Sequence, residues 1–277
     1  MVARASRRYK WLVSDTSEVG FSELWRPAPE TELDRLGVSL DDGAATGFDL
    51  RTFPRSTWLI HAMYETEMDS PASHDQREKQ RIADGVELPT IVNNVNLSAL
   101  TTTGVALGWS KSPGAAFKRL RWREYAERNS VPILRDGELP GHRGFGEAHT
   151  GDSWPENVAP PAEGSIDEES WCELVRVLLA HSSSGADTTC TTFYTPWTLT
   201  PESSSFLLQG RLGDAAALID NPTSMGSPQN FWPDELDWFV YTDFDLQASR
   251  ISGSIALIEA LLSDAKLDCE DLPGLAK

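Results

Sequence analysis

Residues 137–164, GELPGHRGFGEAHTGDSWPENVAPPAEG, hold six glycines and four prolines in a single run. Proline lacks the backbone donor that helices and sheet interiors require, and glycine loses the most entropy on ordering. Neither a continuous helix nor a central strand can therefore cross this segment. The chain divides into residues 1–136 and 165–277, with 137–164 between them as a linker or a long ordered loop. Connections of this length are uncommon inside compact domains, and ordered ones tend to carry function.

At 277 residues the chain makes one large domain or two ordinary ones, and either buries a core without disulfide or metal staples. Apolar residues are 40% and charged residues 24%, the balance of a globular chain. No stretch approaches the roughly 18 apolar residues that span a bilayer. The opening MVARASRRYKWLVSDTSE is basic, but Ser14, Asp15 and Glu18 interrupt any apolar region, so it reads as an arm rather than a secretory signal. Forty-two acids against 24 bases leave a net charge of −18, which repels nucleic acid and anionic lipid and suits a basic protein partner. Cys172, Cys190 and Cys269 are far apart with no C-x-x-C pair. That argues against a disulfide framework or a zinc site, and for a reducing, cytoplasmic setting.

In the first part, PETELDRLG (29–37) reads as a short helix closed by Gly37, and TWLIHAMYE (57–65) as one strand apolar on both faces. HDQREKQRIADG (74–85) is a solvated helix or a loop, and LPTIVNNVNLSAL (88–100) contains a strand. SPGAAFKRLRWREYAERNS (112–130) opens a helix with Ser112 as N-cap and Pro113 at the first helical position. Its cations Lys118, Arg119, Arg121, Arg123 and Arg128 spread around a helix without forming a stripe. Beside Trp122 and Tyr125 they could bind nucleic-acid bases, but ion pairing with the surplus of acids needs fewer assumptions.

In the last part, Ser165 and Glu168 form a capping box before a helix in which Trp171, Leu174, Val175 and Leu178 recur at helical spacing. Cys172 reads as packed beside Trp171. TTCTTFYTPW (188–197), SSSFLLQG (203–210) and ELDWFVYTD (235–243) read as strands. GDAAALID (213–220) is a brief helix and SGSIALIEALLSD (252–264) a closing one.

SPQNFWPDELDWFVYTDFDL (227–246) is the most informative stretch. Leu236, Trp238 and Val240 point one way and Phe239 and Tyr241 the other, the pattern of a strand buried between layers. Trp232-Pro233 ends the preceding loop. Asp234, Glu235 and Asp237 gather at one end of the strand, Asp243 and Asp245 at the other, and ISGS opens the last helix with Ser252 or Ser254 as cap. The D-F-D step resembles the nucleophile motif of haloacid dehalogenases and the metal-binding pair of sugar-nucleotide transferases, since hard oxygen ligands suit Mg²⁺ or Mn²⁺. Gln247 departs from the dehalogenase pattern, and both folds need a longer downstream region than the 32 residues after Asp245.

Residues 227–268 also resemble the C-terminal signature of a family of uncharacterised proteins found mainly in high-GC Gram-positive bacteria. The shared features are S-P, W-P-x-D, a Trp before an apolar pair, D-x-D, and G-S before a Leu/Ile-rich helix. The helix after Ser165 and the run RLRWREYAE are weaker parts of the same layout. His181-Ser182 stands where that family has His-Thr, and TTFYTPWTL replaces a Trp-Gly stretch. The resemblance implies a layout and no activity.

Other constellations offer less. His142, Glu147 and His149 share the Gly-rich segment and could ligate a metal, though loop composition alone explains them. His61 reads as half-buried on its strand, and His181 as a helix C-terminal residue. G-x-S-x-G, H-E-x-x-H and G-x-x-x-x-G-K are absent from the sequence. Ser254 at a helix start could hold an anion, but capping explains it. Most of the ten tryptophans fall in apolar runs and read as core, with Trp154 and Trp197, each beside a proline, the exposed ones.

The expected fold is α+β: a largely antiparallel sheet with packed helices, two lobes joined near 137–164 being one arrangement of it. The expected role is a non-catalytic cytoplasmic interaction protein of immunity or accessory type, with no cofactor. Trp232, Asp234, Glu235, Asp237, Asp243 and Asp245 form its acidic, aromatic binding surface for a basic partner. The alternative is a metal-assisted hydrolase or transferase, in which Asp243 and Asp245 meet Asp234 or Asp237 in one coordination sphere.

Overall fold

The computed structural model describes residues 23–38, 47–50, 52–67, 72–85, 91–92, 95–96, 114–149, 153–194, 205–219 and 226–271. The chain begins with β1 (Arg26–Pro27), α1 (Thr31–Leu36), β2 (Arg55–Ile60) and β3 (Met63–Glu65). Next come α2 (His74–Ala83), β4 (Ile91–Val92), β5 (Val95–Asn96), β6 (Lys118–Leu120) and α3 (Trp122–Asn129). β7 (Val158–Ala159) precedes α4 (Glu168–His181), β8 (Thr189–Tyr194) and β9 (Phe206–Arg211). The last elements are β10 (Asn230–Pro233), β11 (Trp238–Thr242), β12 (Ala248–Gly253), α5 (Ile255–Ser263) and β13 (Cys269–Glu270).

The fold is α+β, as expected. An eight-stranded antiparallel sheet runs β1-β9-β8-β10-β11-β12-β2-β13, and a three-stranded one runs β6-β3-β7. β2, from the first 136 residues, lies between β12 and β13 of the last part.

Period-two alternation separates the two faces of the large sheet. Phe231, Trp238, Val240 and Ile251 face Trp171, Leu174 and Leu178 of α4 and Leu257, Ile258 and Leu261 of α5. Phe193, Trp232 and Phe239 belong to a different cluster with Leu33 of α1, Phe48 and Phe53. β11 is thus buried between layers, as its sequence predicts. A third cluster joins Trp58, Ile60 and Ala248 to Leu120, Trp122 and Tyr125, and to Phe145, Ala148, Trp154 and Val158 of the Gly/Pro-rich segment. Within its described residues that segment is ordered and supplies core.

Several local expectations need correction. Ser112 and Pro113 lie outside the described residues, and no helix runs from 114: Phe117 N–H bonds to the Gly114 carbonyl in a turn, and Lys118–Leu120 pair with β3. The helix begins only at Trp122. Ser165 does not cap α4. Asp167 does, accepting from Ser170 N–H at 3.0 Å, while Ser165 Oγ accepts from Ser227 N–H at 2.9 Å. Trp232-Pro233 ends a strand rather than a loop, because β10 pairs with β8 on one side and β11 on the other. Residues 248–253 are a strand at the heart of the sheet, and Ser254 alone caps α5, accepting from Leu257 N–H at 3.2 Å. Leu236 leaves the strand for a turn at φ 54°. The brief helix expected at 213–220 is present, as a 3-10 helix over Leu212–Leu218. Cys172 is exposed and Trp154 buried, each the reverse of its expectation, and Trp197 lies outside the described residues.

Residues 57–65 are two strands in two sheets, broken at His61-Ala62. His61 sits in the break, fully rather than half buried. Its Nδ1 lies 2.5 Å from the Ala162 carbonyl and its Nε2 2.9 Å from Ser249 Oγ. A carbonyl can only accept, so Nδ1 carries the proton and Nε2 accepts from the serine. The Ala62 N–H is taken by Asp167 Oδ2 at 3.2 Å. The break is therefore held by three residues from two distant parts of the chain.

Candidate functional site

The β10–β11 hairpin fixes where the predicted site residues go. Phe231 pairs with Val240 and Asn230 with Tyr241, so the connecting turn, 234–237, lies at one end of β11 and the turn after Thr242 at the other. Asp234, Glu235 and Asp237 occupy the first turn, Asp243 and Asp245 the second. The two groups do not meet, and among the described residues no three His, Cys, Asp or Glu side chains are grouped to hold a metal. Trp232, expected as part of the binding surface, is closed to solvent. Alternation from Phe231, which faces the helices, turns Trp232 onto Phe48 and Phe239 instead.

In the first turn Asp234 N–H bonds to the Thr189 carbonyl at 3.0 Å and Leu236 N–H to the Pro233 carbonyl at 3.0 Å. Glu235 and Asp237 are exposed. Burial raises the Asp234 carboxyl above the usual range, with Arg35 acting against the rise. This turn presents charge without an aromatic.

The second turn differs. Asp243 ties it together, its Oδ1 accepting from Asp245 N–H at 3.0 Å and its Oδ2 from the Tyr241 hydroxyl at 3.1 Å. Side chains of this type close such turns because they accept from the backbone two residues on. Phe244, between the two aspartates, is 47% exposed. Gly164 packs against its backbone so closely that a Cβ there would lie 2.8 Å from Phe244 Cα, and Gly164 N–H bonds to the Leu246 carbonyl at 2.9 Å. That contact brings the neighbouring Glu163 to the turn. Burial, with the Asp245 charge adding to it, pushes the Glu163 carboxyl up to about 7. Burial, with Asp243 adding, likewise raises Asp245.

The surrounding charges sharpen the contrast. Lys118 pairs with Glu67, Arg119 with Asp167 and Glu169, Arg121 with Asp268, Arg123 with Glu270 and Arg128 with Glu65. All five cations of the basic island are taken up within the chain. Among the described residues, no cation forms a salt bridge with Asp243, Asp245 or Glu163. Phe244 and Glu163 were not among the expected site residues. The first stood in plain view inside D-F-D, whereas no feature of the sequence ties position 163 to position 245.

His142 and His149 do come together, with ring centroids 4.5 Å apart, but Glu147 is engaged with Arg135 at 2.8 Å. Burial, then the neighbouring His142 and Arg135, lowers His149 to about 4. Among the described residues, this tilted pair has no third ligand.

Compared with family models, with curated proteins and with solved structures, the chain finds no match. No helix among the described residues is long and apolar enough to cross a membrane.

Proposed function

We propose that the protein is a non-catalytic interaction protein that binds a basic protein partner through the turn at 243–246. The observation that carries this reading is Phe244, exposed between Asp243 and Asp245, with Glu163 alongside and, among the described residues, no salt bridge to any of the three acids. An aromatic that stays in water offers contact area at low entropic cost, and uncompensated carboxylates around it favour a cation-bearing surface by steering and by hold. The net charge of −18 adds a long-range attraction of the same sign. A cytoplasmic location and an immunity or accessory role fit such a surface, and the resemblance of residues 227–268 contributes a layout to this reading rather than an activity.

The test is affinity isolation from the native host at low and moderate salt, with the wild-type chain and with Phe244→Ala and Asp243→Asn/Asp245→Asn variants. A basic protein retained by the wild type and lost at least tenfold by both variants supports the proposal. Retention that is the same for all three, or no partner at either salt, overturns it.

A further inference from the structure

Residues 47–50, Gly-Phe-Asp-Leu, are held on the sheet face that carries Trp232 and Phe239, by contacts that run from β10 to β12. Asn230, closed to solvent, accepts the Phe48 N–H on Oδ1 at 3.1 Å and donates Nδ2 to the Phe48 carbonyl at 2.7 Å. One side-chain amide thus takes the place of a neighbouring strand for both backbone groups of one residue. The Phe48 ring enters a cage of Phe193, Trp232 and Phe239, with centroids 5.6, 5.9 and 5.6 Å away. One residue on, Asp49 Oδ2 accepts from the Arg250 guanidinium at 2.6 Å, and Arg250 also donates to Ser56 Oγ at 2.9 Å. On the other side Gly47, at φ 94°, passes so near β11 that a Cβ would lie 2.9 Å from the Thr242 carbonyl oxygen.

The occupant and its seat differ in burial. All four residues of the segment are only half-buried, whereas Phe193, Trp232 and Phe239 are at most 1% exposed. Two buried donors of the seat, Trp232 Nε1 and Arg250 Nε, have no hydrogen-bond partner among the described residues. An amide that reads backbone, an aromatic cage and a guanidinium one residue further on together recognise a pattern rather than one segment.

We propose that this face is a peptide-binding groove whose ligands are extended segments with an aromatic followed by an aspartate, and that residues 47–50 are its resident, displaceable occupant. The two spare donors are available to a ligand richer in acceptors than the resident one. The inference is independent of the turn at 243–246.

The experiment uses the full chain carrying Phe48→Ala and Asp49→Asn, which opens the seat, and the blocked peptide Thr-Gly-Phe-Asp-Leu as probe. Tryptophan emission and Tm are followed during titration. The expected result is saturable binding with a rise in Tm, at least tenfold weaker for the same peptide with Asn in place of Asp. The wild-type chain binds the probe at least tenfold more weakly than the variant, because its own segment competes. Adding Arg250→Gln to the variant abolishes the discrimination between the two peptides. A folded variant that gives no saturable response, or binds both peptides alike, overturns the proposal. If the double variant loses its native circular dichroism, Asp49→Asn alone is titrated; the same tenfold discrimination is expected, and its absence is equally decisive.

Discussion

His61 Nε2 accepts from the Ser249 hydroxyl at 2.9 Å, with both residues closed to solvent, at the point where the chain leaves one sheet for the other. Burial lowers the imidazole to about 4 from 6.5, outweighing the Ala162 carbonyl and the Asp167 charge, which favour protonation. The folded state therefore holds the neutral ring, and the unfolded chain binds the proton more readily. This stabilisation is fully present above about pH 6.5 and is lost as the pH falls towards 4, a change on the order of 3 kcal/mol. Thermal unfolding between pH 7.5 and 4 should show this loss, and His61→Gln should flatten it. An imidazole resonance that titrates near 6.5 in the folded protein would contradict the account.

Asp167 serves three groups at once: the first turn of α4 through Ser170 N–H, the chain break through Ala62 N–H, and Arg119 at 3.2 Å. Asp167→Ala removes a helix cap and leaves a half-buried guanidinium and a buried N–H short of a partner, so a loss of about 3 kcal/mol or more is expected. Asp167→Asn keeps the cap and gives up the charge, and should recover part of that loss. Urea titration separates the outcomes; equal destabilisation by both variants would show the ion pair alone to matter.

Trp232 and Phe244 lie twelve positions apart in one aromatic, acidic stretch, yet one is closed to solvent and the other 47% exposed. Trp232→Ala opens a cavity among Phe48, Phe193 and Phe239 and is expected to cost about 3–5 kcal/mol. Phe244→Ala should stay within about 0.5 kcal/mol of the wild type while weakening partner binding. Chemical denaturation reads both, and a large loss for Phe244→Ala would mean that this ring serves the fold.

How far the sequence reveals the fold depends on whether a residue's partner is near in the chain. β11 and α4 are legible because Trp238–Tyr241 alternate and Trp171, Leu174, Val175 and Leu178 recur, and both patterns are local. β12, Ala-Ser-Arg-Ile-Ser-Gly, is not announced by the sequence, in which 251–254 read as the opening of the last helix, since serine, arginine and glycine have little reason to line a sheet interior. They lie there because groups outside the strand satisfy them: His61 and Thr242 for Ser249, Asp49 and Ser56 for Arg250. The helix expected from 112 fails for a related reason, since pairing of Arg119 and Leu120 with Tyr64 and Met63 overrides a good local start signal. At the candidate site the positions of Asp243 and Asp245 follow from the end of a legible strand. Glu163 joins them only through the approach of Gly164 to Phe244, which no local pattern announces.

Glu163 supplies a pH dependence opposite in sign to that of His61. Its carboxyl is raised to about 7 from 4.5, first by burial and then by the Asp245 charge, so the fold holds a proton that the unfolded chain releases earlier. The associated stability is fully present below about pH 4.5 and is lost as the pH rises through about 7. Glutamine carries no charge at any pH. The Tm difference between Glu163→Gln and the wild type should therefore grow in the variant's favour as the pH rises from about 4.5 and level off above about 7. A nearby lysine or arginine from a partner would reverse the sign, because it favours the ionised form that Asp245 opposes. A Tm difference that is the same at pH 5 and pH 9 would show that Glu163 ionises as freely in the folded protein as in water.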